Sequence, residues 1–291
     1  MTTTEYAFSV FSEHLNRVRS QLPSGPGLVG LELGPGDSLA SAVIGKALGF
    51  KAMFLVDVGR YASEDMADYV KLIQFLEDRG FNVTDLKACA TTSELLAKTG
   101  SAYLTCGLRD LRSLPAASVD FIWSQAVLEH VKKSDFLPTM IELRRVLKPQ
   151  GASSHRVDLS DHLGGSLNNL RFSERLWESN AWASSGFYTN RIRCADLMRL
   201  FEDAGFVADI VRVERWSELP TPRKKFDNAF RTKALSDLLI SGFDVVLRPR
   251  LDPTQGFLSS ATSVRSSERD DGASARVTRH RDLGQGEVLK T

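Results

Sequence analysis

The chain has 291 residues with 37 Lys and Arg against 36 Asp and Glu, a formal charge of +1, so no global field draws it to nucleic acid or to an anionic membrane surface. Its residues are 42% hydrophobic and 25% charged, the proportions of a soluble globular protein with a sizeable core. No stretch approaches about 18 uninterrupted apolar residues and Met1 to Glu5 lacks a basic or long apolar leader, so the expectation is a cytoplasmic protein with no membrane span.

In chain order, Phe8, Phe11, Leu15, Val18 and Leu22 recur at helical spacing over residues 4–22, and Pro23-Ser24-Gly25-Pro26-Gly27 stops them. This predicts a helical cap, residues 1–22, before the first strand. Leu28 to Leu33 reads as a central strand, Ser38 to Leu48 as a helix closed by Gly49, and Ala52 to Val56 as a second strand. Ser63 to Arg79 places Met66, Tyr69, Val70, Ile73 and Leu76 on one helical face, closed by Gly80. Thr91-Thr92-Ser93-Glu94 has the form of a capping box and opens a short helix, followed by a third strand from Tyr103 to Cys106.

Val119 to Trp123 reads as the fourth strand. Leu137, Met140, Ile141, Leu143, Val146 and Leu147 then mark a helix over residues 134–147 that should begin close to Pro138, because proline is tolerated only in a first turn. A fifth strand follows from Ser153 to Leu159. Strands alternating with helices imply parallel pairing through right-handed crossovers, hence a doubly wound α/β sheet. A helix from Cys194 to Ala204 comes next, and Val207 to Trp216 with Phe243 to Leu247 suit an antiparallel edge hairpin, which brings the strands to seven. From Asp252 onward Ser, Arg, Asp and Gly dominate, and residues 252–291 are expected to be a disordered tail.

Cys89, Cys106 and Cys194 are odd in number and lack CxxC or His spacing, so neither a disulfide framework nor a metal site is expected, and all three are read as buried or semi-buried thiols. The richest local signal is Gly30-Leu31-Glu32-Leu33-Gly34-Pro35-Gly36-Asp37-Ser38, a strand breaking into a glycine turn before a helix, with Asp57 at the end of the next strand. Such a turn makes room for a nucleotide-like ligand. A dinucleotide fingerprint would need a glycine at Leu39, so a pyrophosphate on the helix is poorly supported.

Glu32-x-Gly34-x-Gly36-x-Ser38 instead resembles the first motif of the class I S-adenosylmethionine-dependent methyltransferases, with Ser38 where that family usually has a third glycine. Phe54-Leu55-Val56-Asp57 resembles the second motif. Asp110-Leu111-Arg112-Ser113-Leu114-Pro115, Ser118-Val119-Asp120-Phe121-Ile122-Trp123-Ser124-Gln125-Ala126-Val127-Leu128-Glu129-His130-Val131 and Arg144-Arg145-Val146-Leu147-Lys148-Pro149-Gln150-Gly151 resemble later blocks in order. The resemblance covers residues 28–160 and implies a Rossmann-like methyltransferase fold with S-adenosyl-L-methionine as cofactor. It implies a donor site of Glu32, Gly34, Pro35, Gly36, Asp57, Val58, Asp110, Leu111, Ser124 and Gln125, in which Asp57 meets the ribose diol and Asp110 the adenine. His130 is expected to bond nearby backbone through a ring nitrogen.

The acceptor side is read from polar residues beyond the fifth strand. Strand alternation puts His155, Val157 and Leu159 on one face and Arg156, Asp158 and Ser160 on the other. Asp158, Asp161 and His162 lie nearest the cleft, with His162 the proton acceptor because its ordinary pKa is near neutrality. The insert 161–193 offers Arg171, Trp182, Tyr188, Asn190 and Arg191 as substrate contacts, a mixture that suits a sugar or other polyhydroxylated molecule. The expectation is one methyltransferase domain over residues 1–251, transferring a methyl group to oxygen on a small molecule. Nitrogen or carbon transfer, or a catalytically silent donor-binding scaffold, are the alternatives.

Overall fold

A computed structural model describes residues 3–250; the expected tail, 252–291, lies outside the described residues. Seven strands form one sheet in the order β3-β2-β1-β4-β5-β7-β6. They are β1 (Val29–Leu33), β2 (Ala52–Val56), β3 (Ala102–Leu104), β4 (Val119–Gln125), β5 (Leu147–Asp158), β6 (Phe206–Arg215) and β7 (Ile240–Pro249). β1 pairs in parallel with β2 and β4, β2 with β3 and β4 with β5, while β7 runs antiparallel between β5 and β6. The doubly wound sheet with an antiparallel edge is therefore the one the sequence predicts.

Strand alternation divides the core into two layers. On one face α1 (Thr4–Val18), α2 (Ala40–Ala47), α3 (Met66–Glu77) and α4 (Thr92–Thr99) cover Met53, Leu55, Phe121 and Trp123. On the other, Leu31, Leu33, Val56, Ile122 and Val157 meet the helices α5 (Leu108–Ser113), α6 (Lys133–Val146) and, beyond the short α7 (Glu174–Trp177) and α8 (Asn180–Ala183), α9 (Cys194–Asp203). The N-terminal cap covers the sheet face: Phe11 is fully buried, its ring edge-on to Phe50, Phe121 and Trp123. Thr91 caps α4 by accepting from the Glu94 N–H at 3.2 Å, as its spacing predicts, while Glu94 reaches back to the Ala90 N–H at 2.8 Å, one residue before the cap, rather than to the Thr91 N–H of a full capping box.

Several local expectations change. Pro138 is the sixth residue of α6 rather than near its start. The bond it cannot make would end on the carbonyl of Ser134, an exposed residue in the first turn, where water can serve a carbonyl left without its helix partner. On α3 the buried stripe runs through Tyr69, Leu72, Ile73 and Leu76, leaving Val70 exposed. α5 was not foreseen, and it truncates β3 at Leu104 after the turn at Gly107. Residues 148–151 bulge out where β4 and β5 shift register, so β5 begins at Leu147. Cys106 is exposed, whereas Cys89 and Cys194 are buried.

Candidate active site

β1 is the switch point of the sheet, where connections leave in opposite directions, and there the strand ends open a cavity of about 760 Å3. Leu33 and Gly34 line it from β1, Val56, Asp57 and Val58 from β2, and Gly107, Leu108 and Leu111 from the turn into α5. The turn after β4 supplies Val127, His130, Val131 and Lys132; α6 supplies Asp135 and Thr139; residues 183–186 and Tyr188 close the far side.

The glycine turn is built as its composition predicts. Gly34 and Gly36 hold φ of +71° and +63°, a region that side chains with a Cβ enter only at a cost. A Cβ on Gly34 would also lie 2.5 Å from Val127 Cγ2, whereas one on Gly36 would meet nothing within 4 Å. The Gly34 N–H donates to the Val56 carbonyl at 2.8 Å. Asp57 accepts from the Gly36 N–H at 3.1 Å through one oxygen and from the Val58 N–H at 2.7 Å through the other. The carboxylate is thus fastened to the turn from the neighbouring strand and has lone pairs to spare. Partial burial raises its pKa, opposed by these N–H groups.

The other expected donor residues divide. Val58 and Leu111 line the cavity; Glu32, Pro35, Gly36, Asp110, Ser124 and Gln125 do not. Glu32 points behind the turn to Ser41 of α2, and burial, with Asp57 nearby, pushes its pKa up to about 8. The Asp110 carboxylate accepts from the Cys106 N–H at 2.7 Å, closing the turn into α5. Alternation sends Ser124 and Gln125 to opposite faces of β4. Ser124 Oγ pairs with His155 Nδ1 at 2.7 Å, both fully buried. Gln125 accepts from His14 Nε2 of α1 at 2.9 Å, and His14 Nδ1 meets Ser154 Oγ at 2.8 Å. Burial lowers the pKa of His14 to about 4 and of His155 to about 3, so both rings are neutral. No local signal marks His14, one residue of an amphipathic helix, as the member that completes this network.

The acceptor-side residues are also redistributed. Asp158 accepts from the N–H and hydroxyl of Ser160 at 2.8 and 2.6 Å. Asp161 is buried and accepts from Leu163, from the N–H and hydroxyl of Ser166 and from Asn168, so it organises its own loop. His162 is exposed and sits edge-on against His130, ring centroids 4.7 Å apart. His130, given a structural role by sequence reasoning, is the histidine on the cavity wall. Its Nδ1–H donates to the Tyr188 carbonyl at 2.9 Å, as expected of a backbone-bonded ring, which leaves Nε2 as the acceptor nitrogen. Desolvation and then His162 lower its pKa, so the neutral ring is favoured.

Within the insert only Tyr188 of the expected contacts lines the cavity. Its hydroxyl donates to Glu178 at 2.9 Å. Arg171 is exposed elsewhere, and Trp182 packs into an aromatic group with Phe172, Trp177 and Phe187. Arg191 is buried and donates to the carbonyls of Phe172 and Asn169 and to Glu174, and Asn190 is buried against the turn after β4. Both were expected to touch substrate; both instead satisfy backbone groups that the insert leaves open. Sequence reasoning missed Gly107, Lys132, Asp135 and Thr139 on the cavity wall. Of these only Gly107, a glycine directly after the third strand, carried a readable signal.

Residues 31–154 match the family model described as a methyltransferase domain. No curated protein matches the chain. Solved structures similar to it include a chain in the complex between the Haloferax volcanii Trm112 methyltransferase activator and a methyltransferase, 15% identical, covering 86% of this chain and 95% of that one at a TM-score of 0.41. An S-adenosylmethionine-dependent methyltransferase from Mesorhizobium loti is 15% identical over 80% of this chain and 96% of its own, TM-score 0.43. Haemonchus contortus phosphoethanolamine N-methyltransferase 2, in complex with phosphomonomethylethanolamine and S-adenosylhomocysteine, is 16% identical over 83% of this chain and 53% of its own, TM-score 0.44.

Proposed function

From a chain whose residues 31–154 form a class I, Rossmann-like methyltransferase domain, we infer an S-adenosylmethionine-dependent enzyme that methylates a hydroxyl of a small molecule. The observation that carries this is one cavity lined by Gly34, by Asp57, which is bonded to the Gly36 N–H behind it, and by a neutral His130. The residues fit the donor: the turn presents backbone with no Cβ in the way, Asp57 can accept from a ribose diol, and Val58, Leu108 and Leu111 offer apolar surface to a flat ring. When bound, the donor supplies a methyl group on a positively charged sulfur, ready for displacement.

The protein's part is then positioning and proton removal. Residues on the cavity wall hold the acceptor in line, which supplies most of the acceleration in a single displacement. His130 takes the hydroxyl proton on Nε2 as the new C–O bond forms, and the Tyr188 carbonyl on Nδ1–H stabilises the resulting imidazolium. A cavity of about 760 Å3 lies in the upper part of the roughly 300–1,000 Å3 range of ligand sites, leaving room for a small acceptor beside the donor. The sugar reading loses its footing, because Trp182, Asn190 and Arg191 face the protein rather than the cavity. Residues 1–251 are proposed as the functional domain, acting in the cytoplasm, where the free thiols Cys89, Cys106 and Cys194 would stay reduced. No described helix is long and apolar enough to cross a membrane.

Isothermal titration with S-adenosylmethionine tests the donor assignment. Asp57→Ala removes two charge-assisted bonds to the diol, about 2–4 kcal/mol, and should weaken binding roughly thirty- to several-hundred-fold; equal affinity refutes it. His130→Gln should slow turnover to S-adenosylhomocysteine with a pool of hydroxylated acceptors about 100-fold or more, and His162→Gln far less. The opposite order returns the base to His162.

A further inference from the structure

The turn that carries His130 has little structure of its own. Leu128–His130 is a single 3-10 turn, closed internally by one bond from the His130 N–H to the Val127 carbonyl at 2.9 Å, and so short a helix does not hold itself. Its backbone is satisfied from outside. Asn190 Nδ2 donates to the carbonyls of Leu128 at 2.8 Å and Val131 at 3.0 Å, bracketing the turn. The Asn190 N–H donates to the Glu129 carbonyl at 2.7 Å, and two residues earlier the Tyr188 carbonyl takes the His130 Nδ1–H. One strap, residues 188–190, therefore fixes both the turn and the ring it presents.

The strap is held in an unfavourable backbone conformation. Arg191 follows it at φ +59°, a left-handed position that a residue with a side chain enters only at a cost. The chain sustains it because the Arg191 guanidinium, 5% exposed as a residue, is tied to Phe172, Asn169 and Glu174. At the opposite end of the turn Ala126 is left-handed too, at φ +52°, its N–H held by the Arg156 carbonyl at 3.0 Å. Both ends of the turn are therefore determined by contacts outside it. Asn190 is 2% exposed and does not line the cavity, so it has no route to the acceptor.

We propose that Asn190 is a positioning residue: by holding the carbonyls of Leu128 and Val131 it keeps His130 against the Tyr188 carbonyl, in the Nδ1–H tautomer with Nε2 as proton acceptor. This rests on the reading of His130 as the base. Which nitrogen of a neutral imidazole carries the proton is set by the partner of the other, so loss of the strap contact releases the tautomer. The charged and titratable groups around the ring are Asp158 at the end of β5, His162 beyond it, Tyr188 on the strap, and Lys132 and Asp135 at the start of α6.

Long-range 1H–15N imidazole spectra of the full chain labelled at histidine test this, with His130→Gln assigning the His130 signals. The wild-type ring should show Nδ1–H with an unprotonated Nε2 at pH 7.5; an Nε2–H ring overturns the proposal without any variant. In Asn190→Ala the Nε2–H form should appear and the titration midpoint should fall further below the ordinary 6.5, because the Tyr188 carbonyl that raises it no longer holds Nδ1–H, while affinity for S-adenosylhomocysteine stays within about threefold, showing that the donor half is folded. Unchanged tautomer and midpoint in that variant overturn the proposal. Asn190→Ser, which cannot bridge both carbonyls, carries the same measurement if the alanine variant is unstable. If His130→Gln turns over pooled acceptors at the wild-type rate, the base assignment falls while the tautomer result stands, so the two failures are separable.

Discussion

Replacing Glu32 by Gln isolates one buried carboxyl and gives a signed prediction. Glu32 is 8% exposed, one of its oxygens has no partner, and burial raises its pKa from 4.5 to about 8. Below pH 4.5 the group is protonated in both folded and unfolded chains and costs nothing. As the pH rises, the unfolded chain releases the proton and the folded chain keeps it, so stability falls until about pH 8 and is then level. At about 1.4 kcal/mol per pKa unit, the loss between pH 5 and pH 7 is on the order of 2.5 kcal/mol. Gln has nearly the same shape, can still bond Ser41 and is neutral throughout, so the variant lacks this slope. His14 and His155, lowered to about 4 and 3, act in the opposite direction, losing stability as the pH falls below 6.5. They are present in both proteins and cancel in the difference. Urea unfolding of donor-free protein at pH 5, 6, 7 and 8 should show the stability of Glu32→Gln gaining on the wild type by roughly 2–3 kcal/mol between pH 5 and 7. A difference that does not vary with pH would mean Glu32 ionises normally, and would refute the buried neutral carboxyl.

Three further outcomes follow from the geometry. Gly34→Ala puts a Cβ 2.5 Å from Val127 Cγ2 and adds roughly 1–2 kcal/mol of left-handed strain; donor affinity by calorimetry should fall at least tenfold, and Val127→Ala in the same chain should recover it only in part. Arg193→Met leaves the carbonyls of Leu159, Asp237, Leu238 and Ile240 without the buried guanidinium that serves all four, which should cost about 3 kcal/mol or more in urea unfolding; a loss under 1 kcal/mol would refute its role as a clamp. Cys106 is exposed while Cys89 and Cys194 are 6% and 3% exposed, so a thiol reagent should modify one cysteine quickly in the native protein and all three after denaturation.

The order of elements was legible because hydrophobic period and glycine breaks are local signals. β2 was read to the residue, and Thr91 caps the helix that the Thr91–Glu94 spacing predicted. The Gly34–Gly36 turn and Asp57 were legible for the same reason: a left-handed backbone and a strand-end acid are properties of single positions, and the structure places them face to face. Pro138 misled because local sequence cannot report that the turn of α6 it interrupts, at Ser134, is exposed.

The acceptor side was read less well, and the reason is physical. A polar residue near a cleft either serves a ligand or serves a buried backbone group, and composition looks the same in both cases. Asp161, Asn190 and Arg191 all spend their hydrogen bonds on loop backbone, because a long insert crossing the sheet end has carbonyls and N–H groups that water cannot reach. Ser124 and Gln125 were close to the cleft in sequence, yet strand alternation turns one to His155 and the other to His14. Sequence by itself determined the α/β fold, the glycine turn and the acid that faces it, since these depend on backbone conformation and strand period. Only the tertiary structure decided which histidine stands on the cavity wall, because that depends on a strap drawn from the insert, far along the chain, to satisfy the turn after β4.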